Sequence, residues 1–294
     1  MKVKITDSIR YIGVDDTSLD LFESQYVIPE GVSYNSYVIS DEKIAVMDTV
    51  DKRGMKEWED NLLSVLDGRK ADYLVIHHLE PDHAGSIARF IELFPEAILV
   101  GNAKTFQMMP QFFDFDITGK TLVVKEGDML SLGEHTLSFM MAPMVHWPEV
   151  MVAYEKTEKI VFAADGFGKF GTLDTDEEWT CEARRYYFNI VGKYGAQVQA
   201  LLKKLATLDV KMICPLHGPI LKEDLAFYIN KYDIWSKYEA EDDGVFIAYA
   251  SIHGNTKEAV EELVKSLEAN GAKKVALADL TRDDFAEAIE DAFR

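Results

Sequence analysis

The sequence predicts an α/β fold in two unequal parts. Short apolar runs with strand character fill much of the chain up to residue 214, and helical patterns stand between and after them. The acidic stretch EAEDDG at residues 239–244 is typical of a boundary between structural units. After this stretch the pattern becomes a strict alternation of strand, helix and strand. We therefore expect one domain over residues 1–242 and the beginning of another over residues 243–294.

The individual elements follow from apolar periodicity and from turn residues. Residues 34–39 and 44–47 predict a hairpin, because both runs are apolar and a charged triplet separates them. Further strands are expected at residues 73–76, 97–100, 122–124, 136–141, 150–154, 160–163, 210–214, 245–251 and 274–278. Helices are expected at residues 53–66, 84–94, 176–191, 196–205, 225–235, 255–269 and 283–294.

Composition excludes several functional classes. The chain has 294 residues, of which 48% are hydrophobic, so it can form a sizeable core. Its net charge of −20 disfavours nucleic acids and anionic membranes as partners, because both attract positive charge. Cys181 and Cys214 match no zinc or redox spacing. There is no apolar run of the ~20 residues that a membrane span needs, and no signal-peptide pattern, so we expect a cytoplasmic protein.

The stretch HHLEPDH at residues 77–83 follows an expected strand and gathers metal-ligand side chains. If the segment continues extended, His78, Glu80 and Asp82 share a face, and the proline after Glu80 favours that conformation. His83 then follows at the start of a helix. A solvated polar loop is the alternative interpretation. The density of ligand types at the end of an apolar strand favours a site for metal ions.

Similar signals recur downstream. His146, Asp165 and His217 each follow an apolar run, at the position where layered α/β folds place their sites. Each signal is weak alone, because histidines also occur elsewhere in the chain. His135 is one of these, and no role is assigned to it. Together with residues 77–83, the pattern predicts one site built from several strand ends.

The motifs resemble those of a known family. The order H-x-E-x-D-H, then His, Asp and His, resembles the metallo-β-lactamase signature with Glu80 in place of a second histidine. That variant is typical of the flavodiiron proteins, and GVSYNSYVI, HWPE, ADGFGKFG and HGPI are similar to phrases of the same family. The resemblance implies a metallo-β-lactamase-like αββα sandwich, followed by the N-terminal part of a flavodoxin-like doubly wound domain.

The resemblance also implies a ligand set for two iron ions. One iron would take His78, Glu80 and His146, the other would take Asp82, His83 and His217, and Asp165 would bridge them. The carboxylates make this set harder than a histidine-rich zinc site, which suits iron. Tyr194 resembles a family tyrosine that hydrogen-bonds a bound diatomic molecule; a half-buried helix tyrosine is the equally weighted alternative.

A flavin site is indicated in the second part. Residues 245–256 read VFIAYASIHGNT, a strand followed by a loop and a helix start, which is suited to binding an anion. The loop is similar to the phosphate loop of flavodoxins, which bind FMN. The expected FMN-binding residues are Ser251, His253, Gly254, Asn255 and Thr256. A flavodoxin-like domain needs more strands than follow here, so we expect a truncated domain that binds FMN only when completed.

The function implied by the resemblance is that of a flavodiiron oxidoreductase. It would reduce dioxygen to water, or nitric oxide to nitrous oxide, with electrons delivered through FMN. Rubredoxin or a flavin reductase would be the donor. The assembly would be a head-to-tail homodimer or a dimer of dimers. A metal-dependent hydrolase of the same fold, acting through metal-bound hydroxide, is the main alternative. A protein that binds the gas without turning it over is the third.

Overall fold

The computed structural model describes residues 4–176 and 178–294. In chain order the strands are β1 (Ile9–Tyr11), β2 (Val14–Asp16), β3 (Leu21–Phe22), β4 (Tyr26–Val27), β5 (Val32–Tyr34), β6 (Tyr37–Ser40), β7 (Ile44–Met47), β8 (Tyr73–Val75), β9 (Ile98–Asn102), β10 (Thr121–Val124), β11 (Met129–Ser131), β12 (Thr136–Met141), β13 (Met151–Glu155), β14 (Ile160–Phe162), β15 (Met212–Cys214), β16 (Val245–Tyr249) and β17 (Val275–Asp279). The α-helices are α1 (Met55–Leu66), α2 (Pro81–Ala84), α3 (Ile87–Leu93), α4 (Ala103–Met108), α5 (Trp179–Tyr186), α6 (Gly195–Leu205), α7 (Leu225–Ser236), α8 (Asn255–Ala269) and α9 (Phe285–Phe293). Among the helices of the described residues, none has the length and apolar character needed to cross a membrane.

Two sheets form the body of the structure. The first has the order β1-β6-β7-β8-β9-β10, and its strands from β7 to β10 run parallel. The second has the order β11-β12-β13-β14-β15; it is antiparallel as far as β14, which pairs in parallel with β15. The predicted hairpin is confirmed, because β6 and β7 pair antiparallel across residues 41–43.

Both faces of the central strands of each sheet are buried, whereas the edge strands β10 and β11 are partly exposed; this accounts for the nearly continuous apolar runs of the central strands. In β7, Ala45 and Met47 face the core between the two sheets, whereas Ile44 and Val46 face the helices that cover the first sheet. This alternation follows from the two-residue period of a strand. The layers are therefore helix, sheet, sheet and helix, as expected for an αββα sandwich.

Strand direction gathers the site-bearing loops at one end of the sandwich. Strands β12, β14 and β15 point the same way in the second sheet, and β8 runs with its neighbours in the first. The segments that follow these strands contain His78, His146, Asp165 and His217. These four side chains, singled out from the sequence, therefore lie at one end of the sandwich.

Several expected elements differ from the observed ones. The extended segment after β8 ends at Glu80, because α2 begins at Pro81, so Asp82 lies in a helix turn. The expected helix over residues 84–94 breaks at Gly85, where a Cβ would lie 2.6 Å from the Pro81 carbonyl oxygen and 2.9 Å from the Lys52 nitrogen. The expected helix over residues 176–191 is α5 followed by a π-helical turn, Tyr187–Val191, and its residue 177 lies outside the described residues. The short strands β1 to β5 and β11 were not expected, because runs of two or three residues carry no readable period.

The second part contains β16, α8, β17 and α9, with β16 parallel to β17. The acidic stretch at residues 239–244 suggested a linker between the two parts. In the structure, this stretch is held against the sandwich. Glu241 is buried and accepts hydrogen bonds from Arg184, Lys231 and the Trp235 indole. Arg184 also donates to Glu290 of α9, so a buried ion network fastens this part to the sandwich.

The opposite end of the sandwich has an ion-paired histidine. The His135 Nδ1 lies 2.8 Å from Asp41 Oδ2, and its Nε2 lies 3.3 Å from Glu158 Oε1. Burial opposes a charge on the ring, but the hydrogen bonds to Asp41 and Glu158 outweigh it and raise the pKa of His135. Three turns, between β6 and β7, β11 and β12, and β13 and β14, are thereby tied together.

This arrangement predicts a pH-dependent contribution to stability. Because folding raises the pKa of His135, the contribution is complete below the unfolded pKa of about 6.5 and is lost as pH rises through the folded value. We expect His135→Gln to lower the melting temperature of the protein more at pH 6 than at pH 9. Thermal unfolding of the wild type and the variant at both pH values measures this. An equal loss at both would contradict a role for the charged ring.

Candidate metal centre

Seven potential metal ligands converge at the end of the sandwich where β8, β12, β14 and β15 terminate. They form two groups whose ligand atoms lie close together within each group. The first group is His78, Glu80, His146 and Asp165, and the second is Asp82, His83 and His217. All metal-ligand candidates from the sequence are thus brought together.

The first group is compact. Glu80 Oε2 lies 3.1 Å from His78 Nε2 and 3.0 Å from His146 Nε2. Asp165 Oδ2 lies 3.3 Å and 3.1 Å from the same two nitrogens. Four ligand atoms around a metal at ~2.1 Å would be separated by about 3.0 to 3.4 Å, depending on the coordination geometry. The first group therefore fits a metal ion without rearrangement.

The second group lies on the other side of Asp165. Asp82 Oδ2 is 3.5 Å from His83 Nε2 and 3.3 Å from His217 Nε2. Asp165 Oδ1 is 3.1 Å from His83 Nε2 and 3.9 Å from His217 Nε2. Asp165 therefore presents one carboxylate oxygen to each group, which is the arrangement of a carboxylate that bridges two metal ions.

Unsatisfied polar atoms support the same interpretation. Within the part of the chain that the structure describes, both carboxylate oxygens of Asp82 and of Asp165, and His83 Nε2, are buried without a well-aligned hydrogen bond. A buried polar atom without a partner costs about 1–3 kcal/mol. A concentration of such atoms around one point is accounted for by cations that bind there.

Neighbouring groups orient two of the histidine rings. His78 Nδ1 lies 2.7 Å from Glu149 Oε1, and His217 Nδ1 lies 2.8 Å from the Ser33 carbonyl oxygen. Each Nδ1–H donates to its acceptor, so Nε2 is the ring nitrogen that faces the cluster and would bind a metal after losing its proton. Glu149 was not expected at the site, although the phrase HWPE contains it; only the tertiary structure brings its carboxylate to His78.

The side chains shift each other's pKa strongly. Burial opposes a charged His78, but the Asp165 charge and hydrogen bonds to Glu149 and Glu80 raise its pKa well above the ordinary value. Burial likewise opposes a charged His146, yet the neighbouring Asp165 and Glu80 carboxylates raise its pKa to about 9. Burial of Asp165 is outweighed by the His78 and His83 charges, which lower its pKa. In the metal-free protein, protons on these histidines supply the positive charge next to the carboxylates that metal ions would otherwise supply.

A short hairpin formed by β3, β4 and the turn between them, residues 21–27, covers the cluster. At its turn, burial and a hydrogen bond to Glu80 raise the pKa of Glu23 to about 8. The Phe22 ring stands edge-on to the His217 ring, with 5.4 Å between centroids. A cavity of about 240 Å³ opens between this hairpin and Glu80 and Asp82, and it is lined also by Tyr34 and Arg53.

The structure does not bring Tyr194 to the cluster. It lies just before α6, where the Lys193 ammonium stands 5.0 Å from its ring centroid. The tyrosine at the cluster is Tyr186, whose ring centroid is 5.5 Å from that of His217. Burial, together with the charges of Asp165 and Glu80, raises the pKa of Tyr186 well above the ordinary value. The role expected of Tyr194 is therefore better suited to Tyr186.

The residues expected to bind FMN lie where the sequence placed them. Ser251, His253 and Gly254 lie in the loop between β16 and α8, where Gly254 has a φ of +91°, and Asn255 and Thr256 are the first two residues of α8. Ser251 Oγ accepts a hydrogen bond of 3.2 Å from the Lys257 amide. The first turn of α8 and this hydroxyl face the same loop, so the local geometry is suited to an anion.

Comparisons with known proteins agree with this geometry. The family model described as ODP family beta lactamase matches residues 32–218. The nitric oxide reductase of Moorella thermoacetica is 31% identical, over 99% of this chain and 75% of its own length. The rubredoxin-oxygen oxidoreductase of Megalodesulfovibrio gigas is 32% identical, over 91% of this chain and 69% of its own. The crystal structure of the flavodiiron protein from Giardia intestinalis superposes with a TM-score of 0.90 at 27% identity, over 98% of this chain and 72% of that one.

The chain belongs to the flavodiiron family. Its fold is the metallo-β-lactamase-like sandwich of that family, followed by a flavodoxin-like βαβα unit. As a flavodiiron protein it is an oxidoreductase. It spans 69% to 75% of the relatives and of the solved structure named above.

The contact between Glu149 and His78 predicts an effect on metal affinity. In Glu149→Gln the acceptor keeps its shape but loses its charge, so we expect Co²⁺ to bind about tenfold more weakly or worse. Titration followed by Co²⁺ absorption measures this. Glu155→Gln is the matched control, because Glu155 is also buried but accepts backbone N–H bonds at the far end of β13. Equal losses of affinity in both variants would contradict the orienting role.

The raised histidine pKa values predict that metal binding releases protons. At pH 7 the His146 ring of the metal-free protein is protonated, because its pKa is about 9, and a metal ligand must be neutral. Apparent Co²⁺ affinity should therefore rise as pH increases from 7 towards 9. Calorimetry at pH 7 in buffers of different ionisation enthalpy should show about one or more protons released per chain. Binding without proton release at pH 7 would contradict this protonation state.

Proposed function

We propose that the chain is the diiron-binding part of an oxidoreductase that reduces dioxygen to water, nitric oxide to nitrous oxide, or both. The observation that carries the proposal is the placement of Asp165, with one oxygen towards each of two ligand groups. The alternative is a metal-dependent hydrolase of the same fold; Glu80, a carboxylate where the metallo-β-lactamase signature has a second histidine, favours iron over the zinc of such an enzyme. The relatives' names, nitric oxide reductase and rubredoxin-oxygen oxidoreductase, support both substrates without deciding between them.

The ligand assignment follows the two groups. We assign His78, Glu80 and His146 to one iron, Asp82, His83 and His217 to the other, and Asp165 to both. With four imidazoles and three carboxylates the set is suited to iron, which accepts nitrogen and oxygen donors together. When bound, the irons would supply electrons to the diatomic substrate and a positive charge beside it.

The chain's own residues prepare the site for such a reaction. Glu149 and the Ser33 carbonyl fix two imidazole rings, so the ligand set is rigid before a metal arrives. The rings of Phe22 and Tyr186 exclude water on the His217 side. The Tyr186 phenol keeps its proton at neutral pH because its pKa is raised, so its hydroxyl can donate a hydrogen bond to a molecule at the cluster.

Electron delivery is the second half of the proposal. FMN would bind at Ser251, His253, Gly254, Asn255 and Thr256, in the flavodoxin-like unit that begins at residue 243. A rubredoxin or a flavin reductase would reduce it. We propose a head-to-tail homodimer, alone or paired into a dimer of dimers, in which the flavin of one subunit serves its neighbour. The family resemblance supports this arrangement, and the proposal places the reaction in the cytoplasm.

Ferrous loading without air tests the proposal. We expect about two irons per chain, and the ferrous protein should consume added dioxygen or nitric oxide in a single turnover without any flavin. Elemental analysis and an oxygen or nitric oxide electrode measure these quantities. Asp165→Ala should retain less than one iron per chain and lose the consumption, because both metals share this carboxylate.

The control is His135→Gln, which changes a buried histidine at the opposite end of the sandwich and should keep both irons. Tight binding of zinc in preference to iron, with hydrolysis of an ester or amide and no gas consumption, would instead establish the hydrolase. Gas binding that shifts the ferrous spectrum without oxidising the metal would indicate a protein that binds the gas without reducing it.

A further inference from the structure

The covering hairpin, residues 21–27, is poorly secured by its own hydrogen bonds. Strands β3 and β4 have two residues each, and two-residue strands do not hold a hairpin in place by themselves. Glu23 and Ser24 at its turn both have positive φ values, 49° and 59°, which are unfavourable for residues other than glycine. The position of this hairpin over the cluster must therefore depend on contacts from outside it.

Arg185 of α5 contacts the hairpin from outside. Its Nη2 donates a hydrogen bond of 2.6 Å to the Val27 carbonyl oxygen at the end of β4. Its guanidinium carbon lies 5.1 Å from the centroid of the Phe170 ring, against which Phe22 packs edge-on at 5.4 Å. The arginine is almost fully buried, with 2% of its side chain exposed, so water does not compete for these contacts.

The charge on Arg185 is also balanced from the other side, by Glu287 of α9 and by Asp284, the residue that caps the start of α9. Arg185 Nε lies 2.9 Å from Glu287 Oε1, and its Nη2 lies 4.0 Å from Asp284 Oδ1. Glu182, one turn earlier on α5, accepts from Nη1 at 3.1 Å. A buried guanidinium needs such partners, and their positions determine where its planar donor group points.

Asn189, one turn further along, makes the same connection, with its side chain bonded to α9 and its backbone carbonyl bonded to the hairpin. Asn189 Nδ2 donates to the Ala286 carbonyl of α9 at 3.2 Å, and the Asn189 carbonyl accepts a hydrogen bond of 3.3 Å from the Tyr26 hydroxyl. Arg185 and Asn189 therefore both lie between α9 and the hairpin. The path from α9 to the cluster is short: α9, Arg185, hairpin, and then Phe22 and Glu23 against His217 and Glu80.

We propose that Arg185 is a positioning residue that holds the hairpin of residues 21–27 over the metal cluster, in an orientation set by Asp284 and Glu287 of α9. Residues at α9 thus influence the position of the hairpin that covers the metal site in the same chain. The significance of the hairpin as a cover rests on the proposed diiron site. The contact between Arg185 and the hairpin is independent of whether a metal binds.

Amide hydrogen exchange of the metal-free protein tests the contact directly. In Arg185→Gln, the charged donor to Val27 is lost, so exchange in peptides covering residues 19–28 should become about tenfold faster. Arg185→Lys should restore part of the protection, because an ammonium reaches one acceptor but cannot copy the planar donor group. Asp284→Asn combined with Glu287→Gln should give a smaller increase at the same residues.

Arg184→Gln is the matched control. Arg184 precedes Arg185 on α5 and also pairs with α9, through Glu290, but it bonds Glu241 rather than the hairpin. We expect this variant to speed exchange in α9 and to leave residues 19–28 nearly unchanged. Unchanged exchange at residues 19–28 in a folded Arg185→Gln protein would overturn the proposal, and so would an equal increase there in Arg184→Gln. If Arg185→Gln does not fold, Arg185→Lys takes its place. Faster exchange at residues 19–28 than in the wild type then supports the proposal, and unchanged exchange there overturns it.

The rate of Co²⁺ release to a chelator tests the covering role separately. A general loss of stability would raise this rate in both arginine variants, not in Arg185→Gln alone. With its cover loosened, Arg185→Gln should release Co²⁺ several-fold faster than the wild type, whereas Arg184→Gln should not. Equal release rates in Arg185→Gln and wild type, with the hairpin loosened, would overturn its role as a cover. A protein that binds no Co²⁺ would refute the proposed metal site, and the exchange measurement would still decide the contact.

Discussion

The arrangement of this end of the sandwich depends on one buried carboxylate. Asp165 lies at the end of β14 with no exposed surface and with four imidazole nitrogens within 3.9 Å of its two oxygens. A buried anion of this kind is stable only with positive charge beside it. Without metal the charge comes from protonated histidines, and with metal it would come from the ions. The same electrostatic requirement therefore accounts for the raised histidine pKa values and for the proposed bridging position.

The layers of the fold serve to hold that carboxylate and its partners. Four loops from two different sheets must meet at one point, and they do so because β8, β12, β14 and β15 end at the same end of the sandwich. Both faces of these strands are packed, which leaves the loops little freedom to move apart. The far end, with His135 between Asp41 and Glu158, ties three turns together by the same use of a buried charge.

The flavodoxin-like elements are attached by charge as well as by apolar packing. Arg184 binds Glu241 and Glu290 in the interior, and the Phe188 and Phe293 rings stack at 4.2 Å beside them. A buried arginine between two glutamates is costly to separate, because any unpaired member would remain in a dry environment. The link between the two parts is therefore fixed in orientation, which allows α9 to act on the hairpin over the cluster. The π-helical turn Tyr187–Val191, a feature often found at functional sites, lies at this junction.

The sequence by itself determined most strand ends and the identities of the candidate ligands, and its motifs implied the layers through the family resemblance. An apolar run such as IAVM predicts a strand that is buried on both faces. The stretch HHLEPDH indicates metal-ligand chemistry through its residue types and their spacing alone. It did not reveal the very short strands, the break at Gly85, or the neighbours of the ligands. Glu149, Glu23, Tyr186 and Arg185 look like ordinary helix or loop residues in the sequence. Their roles depend on contacts between residues as far as 158 positions apart, such as Arg185 with Val27, and only the tertiary structure decides those. Local patterns encode burial and chemistry, whereas orientation, charge balance and cover are properties of packed neighbours.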